Sequence, residues 1–413
     1  MEAPTKNILG NTALTLIALF VAFAFCEAAV RLLYKNESML FPRYHTDYQY
    51  GRYTIRGVRP NSEYWMTSAD GSWKYVTNSK GFRNTKEFSY AKPANTIRVL
   101  SIGDSHTQGY EVRQNSTFSA VLERFLKHRA KNAEVINTGV SGFSNAEELV
   151  FLENEGIKYN PDVVVLGFFA NDFEDNLKAG LFGLDSQSGL TEKKYQHIPG
   201  VRIQNVIYSI PGVQWLSENS YFYSLLFNNV WSYFASRLSQ EAEYAVPTGA
   251  TSSEYRNTFK AGAMRKAEPA TSGGIASAGG RNTRQAEAIR KAGFALPPGA
   301  PAASSYPIDL AAALVERMQR FCSDRGIRFI VVDIPYAISG NSFRSSMPTA
   351  LAERLAAARI ELIGSQYLLQ KFDGAAELHV PHGHNHISEF THSLIGVEIG
   401  QRLLAPANVA ENR

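Results

Sequence analysis

Val99-Leu100-Ser101-Ile102-Gly103-Asp104-Ser105-His106-Thr107 is an apolar, β-branched run that stops abruptly at Gly-Asp-Ser. The pattern predicts a buried strand over 97–102 with a hydroxyl just past its carboxyl end. In open α/β sheets that edge is where ligands and chemistry gather. A helical stripe follows in Phe118, Val121, Leu122, Phe125 and Leu126, and the alternation then repeats. Strands are expected at 134–138, 162–168 and 328–334, and helices at 145–154 and 388–404. An amphipathic stretch with Leu310, Leu314, Met318 and Phe321 precedes the fourth strand. This rhythm implies a mostly parallel sheet covered on both faces.

The 413 residues are ample for one catalytic domain with appendages. Net charge is only +4, and no Lys/Arg block is interleaved with aromatics, so no nucleic-acid partner is expected. The two cysteines, Cys26 and Cys322, make no disulfide framework. Residues 1–10 read as a tail and 11–33 as a transmembrane signal-anchor helix, apolar except for Glu27 and Arg31. Glu27 and Arg31 stand at the i,i+4 spacing of a helical ion pair, and Arg31 can snorkel. A cleaved signal peptide and a lipidated Cys26 are the other readings of this segment. No clear small-x-small cleavage site precedes Glu27, since Phe23, Phe25 and Cys26 crowd that stretch, and bulky Phe25 precedes Cys26.

Residues 34–90 read as a linker carrying a small β-hairpin, with its turn at Asp70-Gly71 ahead of Trp73-Lys74-Tyr75-Val76-Thr77. The α/β domain is expected over 91–407, interrupted by an insertion at 176–305. Between 203 and 238 the insertion is aromatic and apolar enough to form helices. Over 245–305 it is rich in Ala, Gly, Ser, Thr and Pro and is expected to be disordered.

Ser105 is the candidate nucleophile, provided that other segments supply a base and oxyanion donors. Gly142, in Asn137-Thr138-Gly139-Val140-Ser141-Gly142, ends the second strand in a small-residue turn and can bring its backbone N–H close to a substrate. Asn171, just past the third strand, can offer a side-chain N–H. Alone, each of these residues would read as an ordinary turn or cap. Three such strand ends on one sheet edge make a site. Five of the nine histidines lie between His379 and His392, and one of them is a natural general base. His382, His384 and His386 alternate as metal ligands on a strand would, but no Cys or acidic set accompanies them, so neither metal nor cofactor is expected.

These blocks together resemble the SGNH/GDSL hydrolase superfamily: Gly103-Asp104-Ser105, Gly142, Asn171-Asp172, and His386-Ile387-Ser388-Glu389-Phe390-Thr391-His392, with Thr391 where that family has Gly. The resemblance implies a three-layer αβα sandwich around a mostly parallel five-stranded, flavodoxin-like sheet. It further implies a Ser105–His386 pair working with Gly142 and Asn171 as oxyanion donors. The approach Tyr75-Val76-Thr77-Asn78-Ser79-Lys80-Gly81-Phe82-Arg83 and the N-terminal anchor resemble bacterial envelope members, which implies an extracytoplasmic domain acting on acylated carbohydrate or another ester. The positive-inside rule, applied to Lys6 against Arg31, Lys35 and Arg43, would instead put the domain in the cytoplasm. The family's usual Asp three residues before the histidine is Gly383 here. That leaves a Ser–His dyad, or an orienting partner drawn from His384, Glu377 or Asp373. An O-acyltransferase, with a sugar hydroxyl replacing water, and a non-catalytic scaffold are the alternatives.

Overall fold

The computed structural model describes residues 3–36, 38–42, 44–129, 131–196, 201–230, 306–382 and 385–405. The tract 245–305, expected to be disordered, lies outside them. A long helix, α1 (Ala3–Tyr34), leads into two antiparallel hairpins. The first pairs β1 (His45–Tyr50) with β2 (Tyr53–Val58), and the second pairs β3 (Glu63–Ser68) with β4 (Gly71–Val76) across the Asp70-Gly71 turn. Only the second hairpin is foreshadowed by the sequence. The first, His-Thr-Asp-Tyr-Gln-Tyr in β1, carries no apolar alternation and buries tyrosines instead, Tyr50 and Tyr53 among them.

The core sheet begins at β5 (Ile97–Gly103), which runs into the one-turn helix α2 (Ser105–Gln108) and then α3 (Phe118–His128). It continues with β6 (Ala133–Asn137), α4 (Asn145–Asn154), β7 (Val163–Phe168) and α5 (Asp172–Ala179). After a small hairpin, β8 (Phe182–Leu184) with β9 (Leu190–Glu192), come short helices Val201–Tyr208 and Val213–Asn219 and a helix over 221–230. The helix Tyr306–Ser323 then delivers β10 (Arg328–Asp333), followed by the two-residue pair β11 (Tyr336–Ala337) and β12 (Phe343–Arg344), then β13 (Glu361–Ile363) and the closing helix Glu389–Leu404. The order β13-β10-β7-β5-β6 is parallel throughout. This is the five-stranded three-layer sandwich. Its fifth strand, a three-residue Glu-Leu-Ile, is too short to be seen as a periodic run.

Both sheet faces are dry, which is why the strands read as continuous apolar runs. Leu100, Ile102, Ile136, Val164, Leu166, Phe329 and Val331 pack on one side under α4 and Tyr306–Ser323. Val99, Val135, Val163, Val165, Ile330 and Val332 pack on the other against Leu122 and Leu126 of α3 and Ile395 and Ile399 of the closing helix. The chain leaves β5 for β6 on one side and returns to β7 on the other. The crevice opened by that reversal lies at the carboxyl end of β5, beside Ser105.

His392 ties the closing helix to α3 by accepting the Phe118 N–H on Nδ1 at 3.1 Å. Burial, helped by the charge of Arg83, pushes its pKa down to about 3. A base whose pKa is lowered in the fold contributes stability above pH 6.5 that is lost as pH falls toward 3, about 2 kcal/mol at pH 5. His392→Asn keeps an acceptor for Phe118. Its unfolding free energy should therefore fall by that much less than the parent's between pH 7 and pH 5 in urea titrations. Equal losses would remove His392 as a source of acid lability.

Candidate active site

Gly103 ends β5 with φ of 154°, and a Cβ there would lie 2.0 Å from Thr107 Oγ1. Only glycine lets the chain turn this sharply into α2. Asp104 caps that helix by accepting the His106 N–H at 2.8 Å. Burial raises the Asp104 pKa to about 6, against the pull of that N–H, the charge of His386 and the amide of Asn171. Ser105 is left partly exposed at the head of the helix.

Ser105 Oγ and His386 Nε2 are 2.9 Å apart, and on the far side of the ring His386 Nδ1 is 2.9 Å from Glu111 Oε2. Both His386 and Glu111 are buried. His386 is delivered by a loop closed at its base, where Val380 N–H donates to the His386 carbonyl at 2.9 Å and Ser388 N–H to the Leu378 carbonyl at 3.0 Å. Thr391, which replaces the expected glycine, is itself buried and donates its hydroxyl to the Leu378 carbonyl at 2.7 Å. The rings of Tyr110 and His106 stand 4.9 and 5.0 Å from His386, and Phe169 packs tilted against His106 at 4.0 Å. These rings wall the imidazole from water.

The carboxylate on Nδ1 is thus Glu111, and this corrects the sequence reading. Glu377 and Asp373 lie on an exposed stretch and neither is hydrogen-bonded to His386. His384 and Gly383 lie outside the described residues. Glu111 reaches the ring because α2 ends after one turn at Gly109 and the chain folds back, with Gly109 at φ 85° and Glu111 at φ 59°. A left-handed glutamate is costly unless its neighbours hold it. Here the Tyr75 hydroxyl accepts the Glu111 N–H at 3.2 Å and donates to the Gly109 carbonyl at 3.0 Å. The Arg83 guanidinium lies 3.7 Å over the Tyr75 ring and donates to the carbonyls of Gln108 (3.0 Å), Gly109 and Val112 (2.6 Å). The hairpin β3–β4 and the Gly81-Phe82-Arg83 approach are therefore the mould for the loop beneath the histidine. A lone Glu six residues after the serine is a weak signal, and nothing in its spacing points to His386.

Gly142 follows β6 with φ of 80°, and a Cβ there would come 2.6 Å from Arg56 Nη1. Asn171 follows β7 and caps α5, with its Nδ2 donating to Asp104 Oδ2 at 3.2 Å and to Asp175 Oδ2 at 3.1 Å. The three strand ends therefore do meet on one edge, with both amide hydrogens of Asn171 engaged by carboxylates. Behind them, burial raises the pKa values of Asp172 and Glu148 well above the usual carboxylate range, and lifts that of Asp175 as well. Burial therefore disfavours the charged form of each of these carboxyls.

The other described histidines of the cluster diverge. His379 Nε2 lies 3.1 Å from the Pro335 carbonyl, His392 is spent on α3, and His382 is mostly exposed. Among the described residues no three His, Cys, Asp or Glu side chains gather as metal ligands would. His382 Nδ1 lies 2.7 Å from Asp70 Oδ1, and its N–H donates to Asp70 Oδ2 at 2.9 Å, which pins the hairpin tip to the histidine loop. Because the imidazole of this pair is exposed, the contact is worth little. His382→Ala should lower kcat/KM by no more than about threefold. A loss near that of His386→Ala would make His382 part of the chemistry.

No family model matches the chain, and no curated protein does. Solved structures align over most of it at low identity. An acetylxylan esterase from Geobacillus stearothermophilus is 11% identical, covering 75% of this chain and 95% of its own, with a TM-score of 0.36. A lipase/acylhydrolase from Enterococcus faecalis is 15% identical over 74% and 95%, with a TM-score of 0.34. TesA is 11% identical over 75% and 99%, with a TM-score of 0.35. The fold is shown by the parallel sheet order β13-β10-β7-β5-β6 with helices on both faces. It is the three-layer αβα sandwich that the resemblance to the SGNH/GDSL hydrolases implies. In this chain the carboxylate beside His386 comes from the segment after the serine, not from the segment before the histidine.

Proposed function

We propose that the protein is a serine esterase that removes short acyl groups, O-acetyl in the first place, from carbohydrate or another ester substrate at the cell envelope. The supporting observation is the unbroken line from Ser105 Oγ through His386 to Glu111, with 2.9 Å at each step. His386 Nε2 takes the hydroxyl proton as Oγ attacks the ester carbonyl, and Glu111 accepts the Nδ1–H and balances the imidazolium. The N–H groups of Ser105 and Gly142 hold the tetrahedral oxyanion, joined by Asn171 once it turns one amide hydrogen away from Asp104 or Asp175. Collapse expels the alcohol with the proton from His386. Water activated by the same ring then attacks the acyl-enzyme and releases the carboxylic acid.

The helix α1 serves as the anchor in this reading. Its stretch Gly10–Tyr34 is long and apolar enough to cross a membrane. The carbohydrate substrate and the extracytoplasmic side follow the resemblance to envelope members. The scaffold alternative drew its force from the missing Asp at position 383, and Glu111 beside His386 supports the catalytic reading instead.

A fluorophosphonate probe applied to the full chain tests the proposal. It should label Ser105 in the parent protein and leave Ser105→Ala and His386→Ala unlabelled. A folded parent that takes no label would sink the esterase reading.

A further inference from the structure

Two charges, Glu27 and Arg31, interrupt the otherwise apolar stretch Gly10–Tyr34, and charged groups in such a segment are expensive unless they are used. Here both are used. Glu27 is paired with Arg31 at 2.5 Å, and it accepts from Ser220 Oγ at 2.7 Å, Tyr221 N–H at 3.1 Å and Phe222 N–H at 2.9 Å. Arg31 donates to the Asn219 carbonyl at 2.6 Å and lies 5.0 Å over the Tyr221 ring. The carboxylate of the anchor is therefore the N-terminal cap of the helix over 221–230.

The remaining N-terminal amides of that helix are also satisfied. Tyr223 N–H donates to Ser220 Oγ at 3.0 Å and Ser224 N–H to the Ser220 carbonyl at 3.1 Å. A helix that begins in water needs no such completeness, whereas one that begins in lipid does. The segment 221–230, Tyr-Phe-Tyr-Ser-Leu-Leu-Phe-Asn-Asn-Val, has no charged residue.

Direction follows from the contacts. Asn219 and Tyr221 sit beside Arg31 and Glu27, while Phe222 meets Phe23 edge-on at 5.6 Å. The helix therefore runs antiparallel to α1, toward the anchor's amino end. Ten residues carry it about 15 Å in that direction. Val30 and Tyr221 form a buried cluster with Leu40, on which Phe222 and Leu225 pack, while Leu226 and Val230 face outward at 51% and 45% exposure. The anchor residues Leu19 and Phe20 are exposed in the same way.

The geometry points to a two-helix membrane hairpin: residues 221–230 enter the bilayer beside α1, with lipid acyl chains as their partner and the Glu27 cap as the joint. This rests on reading α1 as a membrane span. It fixes the height and tilt of the catalytic domain on the membrane, since the domain is held by two elements and not by a single tether. Trp215, on the helix just before the joint, is 63% exposed and is of the residue type that anchors at membrane interfaces.

The test uses the full chain in lipid nanodiscs, with nitroxides at L226C, F20C or K371C in a C26A/C322A background. Collision with dissolved oxygen is compared with collision with a water-soluble nickel chelate. The Leu226 label should favour oxygen as the Phe20 label does, and Lys371 the nickel chelate. Adding Glu27→Ala should raise nickel accessibility at position 226 at least threefold and leave position 20 unchanged. A water-like Leu226 beside a lipid-like Phe20 overturns the hairpin and leaves the anchor standing. If Phe20 is water-like too, the anchor reading itself fails.

Discussion

Ser105→Ala should abolish ester turnover, with kcat down about a million-fold, on the order of 8 kcal/mol of transition-state stabilisation. The reason is that both nitrogens of the imidazole are engaged among the described residues: His386 Nε2 faces Ser105 Oγ, and Nδ1 is spent on Glu111. The fold should not notice the loss. Ser105 is partly exposed, and its hydroxyl makes no hydrogen bond that the helix or sheet depends on. Acetate release from an acetylated oligosaccharide, measured beside a thermal melt, reads both halves. Retention of more than about one per cent of kcat with an unchanged melt would place the chemistry elsewhere, because a lost nucleophile leaves only binding and oxyanion stabilisation.

Glu111→Gln should come second, with kcat/KM lowered by about a thousandfold to ten-thousandfold and KM little changed. The amide is nearly isosteric, so packing survives, but it removes the negative charge that balances the imidazolium. It can also present N–H to Nδ1 and so select the tautomer that carries its proton toward Ser105. Steady-state kinetics on Glu111→Gln, Glu377→Gln and Asp373→Asn would decide among the carboxylates. The last two should behave as the parent, since both are exposed and unbonded to His386. A loss below tenfold in Glu111→Gln, with the hydrogen bond to Tyr75 intact, would leave a Ser–His dyad as the working machinery.

Much of the fold was legible because two-sided burial leaves a plain mark. β5, β7 and β10 are near-continuous runs of Val, Ile, Leu and Phe, and the expected strands agree with the observed ones within a residue. β13 escaped because three residues carry no period. The hairpin β1–β2 escaped because its first strand, His45–Tyr50, is polar and buries only Tyr50, so no apolar alternation marks it. Along the sheet edge, Ser105, Gly142 and Asn171 were readable because each directly follows a strand, and position relative to a strand end is local information. His386 was readable through its closing segment, which also set it apart from its neighbours His379, His382 and His392.

The sequence by itself determined the layered sheet, the residues at its carboxyl edge and the apolar N-terminal helix, because those depend on periodicity and composition over short stretches. Only the tertiary structure decided which carboxylate meets the histidine and which backbone the Glu27 charge caps. Glu111 and His386 are 275 positions apart, and Glu27 and Phe222 are 195 apart. Partners at such separations are chosen by how whole elements pack. The hydrogen bond that joins them is too short-ranged to leave any trace in the order of residues along the chain.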